Sequence, residues 1–399
     1  MQHFDVVIVG GGLAGGSLAL ALSSLPLRIA VLEGGQPPSS CVEPAQAVED
    51  FDRRAVALTE GSRQLLNNLD VWPLIEEVAA QPYERMCVWD AEGVGQISFN
   101  AADAGQESLG YIVEQRVILA GIYQKLAESS VSLLCESRLQ HLRPTHTGGY
   151  KLVLEGGEEL ATDLVVGADG AMSSVRKLLG MRTREWDYQH HAIVATLEVE
   201  RSHENTAWQR FMPSGPLAYL PLPAQRDNFV SIVWSADPDA AKELVNANDA
   251  EFCERVGAAL ELRLGNVIAA SPRISFPLRQ RHAIRYVDQN VALVGDAAHT
   301  IHPLAGQGIN LGFQDVRVLA DEMARACRRG QALGSSAILR RYQRRRMGAN
   351  LAMMAVMEGF KRLFGSPMPL VRVVRNRGMS QLDKHHIAKR SLIRRAMDL

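Results

Sequence analysis

The spacing of apolar residues changes several times along this chain. Residues 4–9 form an unbroken apolar run, fit for a strand buried on both faces. Behind it Ala14, Leu18, Ala21 and Leu22 recur at helical spacing, and residues 29–32 form a second apolar strand. Residues 34–52 lack a clear period and read as a long surface loop. Helical spacing resumes over 54–69 and again over 113–128. Residues 86–100 alternate like a hairpin that turns at 91–93, and 133–142 and 150–154 read as strands around a turn at 147–149. Residues 164–167 form another buried strand. Residues 190–199, 218–222 and 229–234 are rich in β-formers and aromatics and predict a separate sheet. A strand at 291–294 and a helix over 310–328 return to the first rhythm. Basic helical segments follow from Ser336, broken at Pro367 and Pro369.

This order predicts an α/β chain with a Rossmann-like nucleotide-binding domain built from separated pieces, 1–75, 105–180 and 285–334. A β-sheet substrate domain (76–104 and 181–284) is inserted between them, and a basic helical region (335–399) follows.

The first turn carries the clearest chemistry. Gly10, Gly12 and Gly15 lie between the first strand and helix. Glycines there let the turn close, let backbone approach a pyrophosphate and let the helix pack on the strand. The helix N-terminus then offers free N–H groups and a positive dipole end to phosphate. Glu33 ends the second strand, 21 residues after Gly12, where an acid binds ribose hydroxyls. The plain alternative, an ordinary glycine-rich loop, does not account for strand, helix and distal acid together. This motif alone does not separate NAD from FAD.

Composition changes the picture in three places. The chain has 399 residues, 47% hydrophobic and 22% charged, with a net charge of −1. A general nucleic-acid binder would need a positive field that this chain lacks. The charge is uneven, however: residues 336–399 hold 15 Lys or Arg and 3 Asp or Glu, a tail of +12 on a body of −13. The five cysteines form no CxxC pair and read as free thiols of a reducing cytoplasm. Residues 6–27 carry no charge, which meets a crude membrane-span criterion, but their five glycines follow the nucleotide pattern.

Two more segments carry a resemblance. Residues 163–176 read Asp-Leu-Val-Val-Gly-Ala-Asp-Gly-Ala-Met-Ser-Ser-Val-Arg, and 295–310 run Gly-Asp-Ala-Ala-His through Pro303, Gly306, Gln307 and Gly308 to Asn310. With the N-terminal glycines, these resemble the three fingerprints of the single-component flavoprotein aromatic hydroxylases. Residues 54–58, 88–90, 186–192 and 299–308 narrow the resemblance to the ubiquinone-biosynthesis hydroxylases, nearest to those that oxidise 2-polyprenylphenols at C5. The resemblance implies an FAD-dependent monooxygenase. It would use NAD(P)H as a transient reductant and O₂ as co-substrate, and would act on a hydrophobic prenylated phenol through a flavin C4a-hydroperoxide. Water exclusion protects such a species.

The same resemblance implies site roles. Gly10, Gly12 and Gly15 would lie on the FAD pyrophosphate, Glu33 on the adenosine ribose, and Arg54 and Arg116 beside the cofactor. Asp169 belongs to a motif tied to FAD and NAD(P)H, Gly295 and Asp296 to the ribityl or ribose hydroxyls. Gly306, Gly308 and Asn310 open a helix facing the flavin ring. Position alone makes Tyr219, Trp234 and Pro303 pocket candidates, against a packing role for both aromatics. No acid or base stands out. His299 and His302 have metal-compatible spacing without further ligands, so no metal site is expected. His190 and His191 point to opposite faces of a strand.

Three readings of the basic tail stay open: a solvated or packed face, a grip on anionic lipid at the inner face of the membrane, or a dock for a ubiquinone-biosynthesis complex. A homo-oligomer also stays open. The competing functions are hydroxylation at another ring position, hydroxylation of a small soluble aromatic, and a non-catalytic flavin-binding scaffold or redox sensor.

Overall fold

The computed structural model describes residues 1–398 except 39–42, 44, 147, 225 and 302–306, and leaves aside the side chain of Gln307. The first glycine turn sits in the middle of a parallel sheet. Strand Gln2–Val9 pairs in parallel with Ile29–Leu32 on one side and with Glu159–Gly167 on the other. Ser132–Leu134 extends one edge and Val291–Leu293 the other, again in parallel. These five strands come from three stretches of chain, as the separated apolar runs implied. Their side chains form one large core with helices Leu13–Ser23, Gln115–Ala127 and Gln307–Arg328.

A second, nine-stranded sheet is mostly antiparallel, centred on the 17-residue strand Thr183–Val199. Strands Arg85–Asp90 and Gln96–Asn100 join it through a parallel pairing with Thr206–Met212. Helices Pro238–Asn246 and Asp249–Ala259 cover one of its faces. A small sheet of Ala55–Leu58, Gly110–Glu114 and Ala80–Tyr83 lies against the other two.

Two expectations shift at element starts. The helical spacing read from residue 54 begins as the strand Ala55–Leu58 before helix Glu60–Asn68, and Val113 belongs to the strand Gly110–Glu114. In both cases the residues include β-branched Val56, Ile112 and Val113 and pair across one three-stranded sheet, so cross-strand packing overrides a local helical count.

The tail forms three helices, Ser336–Phe364, Pro369–Lys384 and His386–Ala396. Several of its cations are structural. Arg375 is buried and donates to Asp90 (2.6 Å), Lys389 faces Asp103 and Asp383, and Arg341 and Arg345 converge on buried Glu322. Among the described residues no helix is long and apolar enough to cross a membrane.

Candidate cofactor and active site

The motifs meet at the carboxyl ends of three adjacent parallel strands. Val9 pairs with Gly167, and Gly167 with Leu293, so Gly10, Ala168 and Gly295 emerge side by side. The connection from Gln2–Val9 runs to one side of the sheet and that from its neighbour Glu159–Gly167 returns on the other, which opens between them a crevice of the kind that takes nucleotides.

The glycines are distinguished by what surrounds them. Gly10 has φ +104°, and a Cβ there would strike the Ala168 carbonyl. A Cβ at Gly15 would overlap the carbonyl oxygen of Gly10. At Gly12 a Cβ would meet no atom of the described residues within 4 Å. Gly10 and Gly15 therefore shape the turn, while Gly12 faces open space at the start of a helix that no side chain caps. Glu33 stands at this mouth and accepts from Gly11 N (2.8 Å) and Gly35 N (2.9 Å).

Asp169 caps the short helix Ser174–Leu178 through Oδ2, which accepts from Ser174 N (2.6 Å) and Val175 N (3.2 Å). Its Oδ1 is buried and has no hydrogen-bond partner among the described residues. Arg54 is exposed, and its field reaches Asp296. Arg116 faces the buried carboxylate of Glu114 (Nε–Oε2 3.0 Å), and its Nη2 has no hydrogen-bond partner among the described residues. Asp52 fixes both arginine backbones, accepting from Arg54 N and Arg116 N. Asp296 is open to solvent by area but walled by protein. That wall raises its carboxyl pKa, while His299 and Arg54 pull it down.

These residues fit FAD. A glycine turn without side chains, an uncapped helix start, an acid at ribose distance in sequence, an unpartnered buried Asp169 oxygen and an unpartnered Arg116 nitrogen suit a pyrophosphate flanked by hydroxyl-bearing groups.

Some sequence candidates stand elsewhere. Asn310 is fully buried; its Oδ1 accepts from Thr59 N (3.0 Å) and Ser62 Oγ (2.7 Å), and its Nδ2 donates to Ala57 O (2.8 Å). It locks the helix start to the small sheet, so its side chain is engaged within the protein rather than turned to a cofactor. Tyr219 is 1% exposed and donates to Val256 O, and Trp234 joins the same core under the two covering helices. The pocket role expected for both gives way to packing, because odd positions of the Tyr219 strand and even positions of the Trp234 strand face that helical layer. Pro303 and Gly306 lie outside the described residues, as does His302. Gly308 lies in the first turn of helix Gln307–Arg328.

Sequence reasoning missed the framework behind the site. Asp315, 0% exposed in its side chain, accepts from His299 Nε2 (2.5 Å), Gly295 N (3.1 Å), Arg346 Nε (2.7 Å) and Asn350 Nδ2 (3.3 Å). Asn350 also donates to Tyr286 Oη, which meets His282 Nε2 at 3.0 Å. Burial pushes the Asp315 carboxyl up, but His299 and Arg346 together hold it below its usual value. Arg176, also buried, ties the other two motifs together by donating to Ala171 O and Ala297 O. A basic residue amid an apolar helical stripe, as at Arg346, was the available signal. Among the described residues, no group of three His, Cys, Asp or Glu is placed to hold a metal.

Comparison with known proteins agrees with this geometry. The FAD binding domain family model matches residues 3–356. The chain is 37% identical over its whole length to the 3-demethoxyubiquinol 3-hydroxylase of Escherichia coli, covering 99% of that protein. It is 36% identical to the mitochondrial ubiquinone biosynthesis monooxygenase COQ6 of Xenopus tropicalis, over 94% of this chain and 89% of that one. It is also 36% identical to the ubiquinone hydroxylase UbiL of Rhodospirillum rubrum, over 98% and 89%. In fold it is similar to PqsL of Pseudomonas aeruginosa (TM-score 0.77, 22% identity, 95% of this chain and 100% of that one). The p-nitrophenol 4-monooxygenase of Pseudomonas putida is equally similar in fold (TM-score 0.77, 18% identity, 100% and 99%). The chain is thus an FAD-dependent monooxygenase and belongs to the family of ubiquinone-biosynthesis hydroxylases.

Proposed function

We propose that this enzyme hydroxylates the aromatic ring of a polyprenylated phenol on the route to ubiquinone, with NAD(P)H and O₂ as co-substrates. The observation that carries the reading is full-length similarity to ubiquinone hydroxylases, joined to a cofactor crevice whose framework is intact. Bound FAD, reduced by the nicotinamide, supplies the activated oxygen.

The protein's own groups bind and orient. The uncapped helix at Gly12, with Arg54 and Arg116, would hold the pyrophosphate. Glu33 would take the adenosine ribose, and Asp296 the hydroxyls on the flavin side. Asp315 fixes the Gly295 turn that presents Asp296. The ring hydroxyl of a phenol already activates its substrate carbon, so no side-chain acid or base is assigned.

The ring carbon has two readings. The resemblance carried by residues 54–58, 88–90, 186–192 and 299–308 is nearest to oxidation at C5 of a 2-polyprenylphenol, and relatives acting at other ring carbons share most of these motifs. The E. coli relative, named for hydroxylation of 3-demethoxyubiquinol, favours a later, methoxylated ring. The test is NADPH oxidation by FAD-loaded enzyme with each short-chain substrate, with product mass and NMR. Stimulated oxidation with one added oxygen supports the function, and NMR assigns the carbon. Stimulation only by small soluble phenols, or H₂O₂ as the sole product, would refute it.

A further inference from the structure

The arginines at the start of helix Ser336–Phe364 fall into two groups. Arg341 Nε and Arg345 Nη1 reach Glu322 on the neighbouring helix, at 2.7 and 3.2 Å, and Arg325 Nη1 joins them at 3.2 Å. Arg340 and Arg344 are exposed, and among the described residues neither has an ion-pair or hydrogen-bond partner. Arg341 Nη2, although buried, has none either. Arg340 and Arg344, like Arg341 and Arg345, stand four residues apart on one helix flank, where like charges repel. The spare charge works against the fold and calls for a counter-charge from outside the chain.

These five arginines wall two adjoining clefts. The first, of about 410 Å³, is lined by Glu322, Arg325, Arg341, Arg344 and Arg345. The second, also about 410 Å³, lies between Arg340, Arg341, Gln343 and Arg344 and reaches Ala337. Ala337 belongs to the first turn of its helix, whose N-cap Ser335 makes no side-chain cap bond. The free N–H groups of that turn and the positive end of the helix dipole add to the guanidinium field. Against the five arginines the lining holds a single carboxylate, that of Glu322.

Size and chemistry choose the occupant. Each cleft has the volume of a small-molecule site. Among the described residues, no aromatic or large aliphatic side chain lines either one, so neither a protein hot spot nor a stacked base finds an anchor. A guanidinium fork matches the oxygens of a phosphate and stays charged beside it. Two clefts that share Arg341 and Arg344 suit phosphates joined to each other. The cofactor crevice is elsewhere. Glu322 lies about 22 Å along the helix that starts at Gln307, at 1.5 Å per residue.

We propose that the paired clefts bind a soluble anion carrying two or more linked phosphates, at a site separate from the one for the cofactor's own pyrophosphate. Arg340 and Arg344 supply the unspent charge, and Arg341 Nη2 donates from the shared wall. Glu322 holds the remaining guanidiniums in place. The site is independent of which ring the enzyme hydroxylates.

The test is isothermal titration calorimetry of the full FAD-loaded chain with sodium tripolyphosphate, ATP and orthophosphate, at fixed ionic strength and without divalent cations. Bound FAD fills the crevice, so the titration reads the second site. The expected result is saturable binding of tripolyphosphate and of ATP, at least ~10-fold tighter than that of orthophosphate. Equal affinity for the first two assigns recognition to the phosphates alone, and tighter ATP assigns the site to a nucleotide. Arg340→Gln/Arg344→Gln should weaken binding at least ~10-fold. Arg340→Lys/Arg344→Lys, which keeps the charge and loses the fork, should bind with intermediate affinity. Both variants should keep wild-type flavin content and Tm, because the side chains are exposed. Absence of saturable binding overturns the proposal, as does binding that sulfate matches at the same ionic strength, or unchanged affinity in the glutamine variant. A single-stranded oligonucleotide that binds more tightly than tripolyphosphate and displaces it would also overturn it, and would reassign the clefts to nucleic acid.

Discussion

Arg346→Met should destabilise the protein by about 3–5 kcal/mol, the usual cost of removing one partner from a buried ion pair. The structure gives the same size from its parts. Arg346 Nε donates to Asp315 Oδ1 at 2.7 Å, and its Nη2 donates to Asn350 Oδ1 (2.7 Å) and Leu311 O (3.3 Å). Methionine fills the stem but strands those buried acceptors, at about 1–3 kcal/mol each before relaxation. His299 stays on Asp315 and limits the loss. With ~2.1 cal/mol/K of unfolding entropy per residue over 399 residues, 4 kcal/mol corresponds to a Tm drop of about 5 °C. Differential scanning calorimetry of the apo and FAD-loaded forms reads this, and flavin affinity should fall too, since Asp315 also anchors Gly295. The Asp315→Asn/Arg346→Met double variant should lose at least about 1 kcal/mol less than the sum of its singles. A Tm within about 1 °C of wild type, or strictly additive losses, would refute the view that this pair supports the site.

Gly12→Ala should leave the apo Tm unchanged and weaken FAD binding, because only the ligand side of Gly12 is open; Gly15→Ala should lower both, its Cβ overlapping Gly10 O. Flavin fluorescence titration beside thermal melts separates the two. Glu33→Gln turns one of two backbone acceptors into a donor and should cost FAD affinity by about 1–3 kcal/mol; equal affinity would remove Glu33 from the site. Burial, with His299 and Arg184 nearby, pulls the His282 imidazole down to about 4 from 6.5. The unfolded chain takes that proton more readily, so stability is full above pH 6.5 and falls toward pH 4, by up to ~3 kcal/mol. In urea melts across that range, His282→Gln should flatten the slope, and an unchanged slope would show that another group titrates.

The sequence was most legible where local geometry and chemistry coincide. Gly10 and Gly15 are glycines because any Cβ there meets backbone, and the strand, turn and helix around them follow from short-range pattern. The interrupted nucleotide fold was also readable, because each buried strand kept its own apolar run. Facing was not. Tyr219 and Trp234 turn toward a layer of two helices, Pro238–Asn246 and Asp249–Ala259, whose starts are marked locally by Pro238 and the Asn248 cap but whose place over this sheet is set only by the tertiary fold. The tail's cations were visible as charge, but their partners lie far away in sequence: Asp90 is 285 residues from Arg375, and Asp315 is 31 from Arg346. Charge counting sees such residues as free, and only the tertiary arrangement shows which are spent on the body.

The order in which the ribosome releases the chain gives the interleaved sheet another meaning. The strand that begins at Gln2 needs Glu159–Gly167 as its neighbour, and the Gly295 turn needs Arg346 and Asn350 behind Asp315. At ~5–20 residues per second, roughly 17–70 s separate synthesis of Gly10 from that of Asn350. Until Glu159–Gly167 is made the central strand keeps one open edge, and until Asn350 is made the Gly295 turn lacks its support behind Asp315. Cofactor capture is therefore a late event in the life of the polypeptide. A nascent chain stalled before residue 346 should be a client for chaperones rather than a flavoprotein.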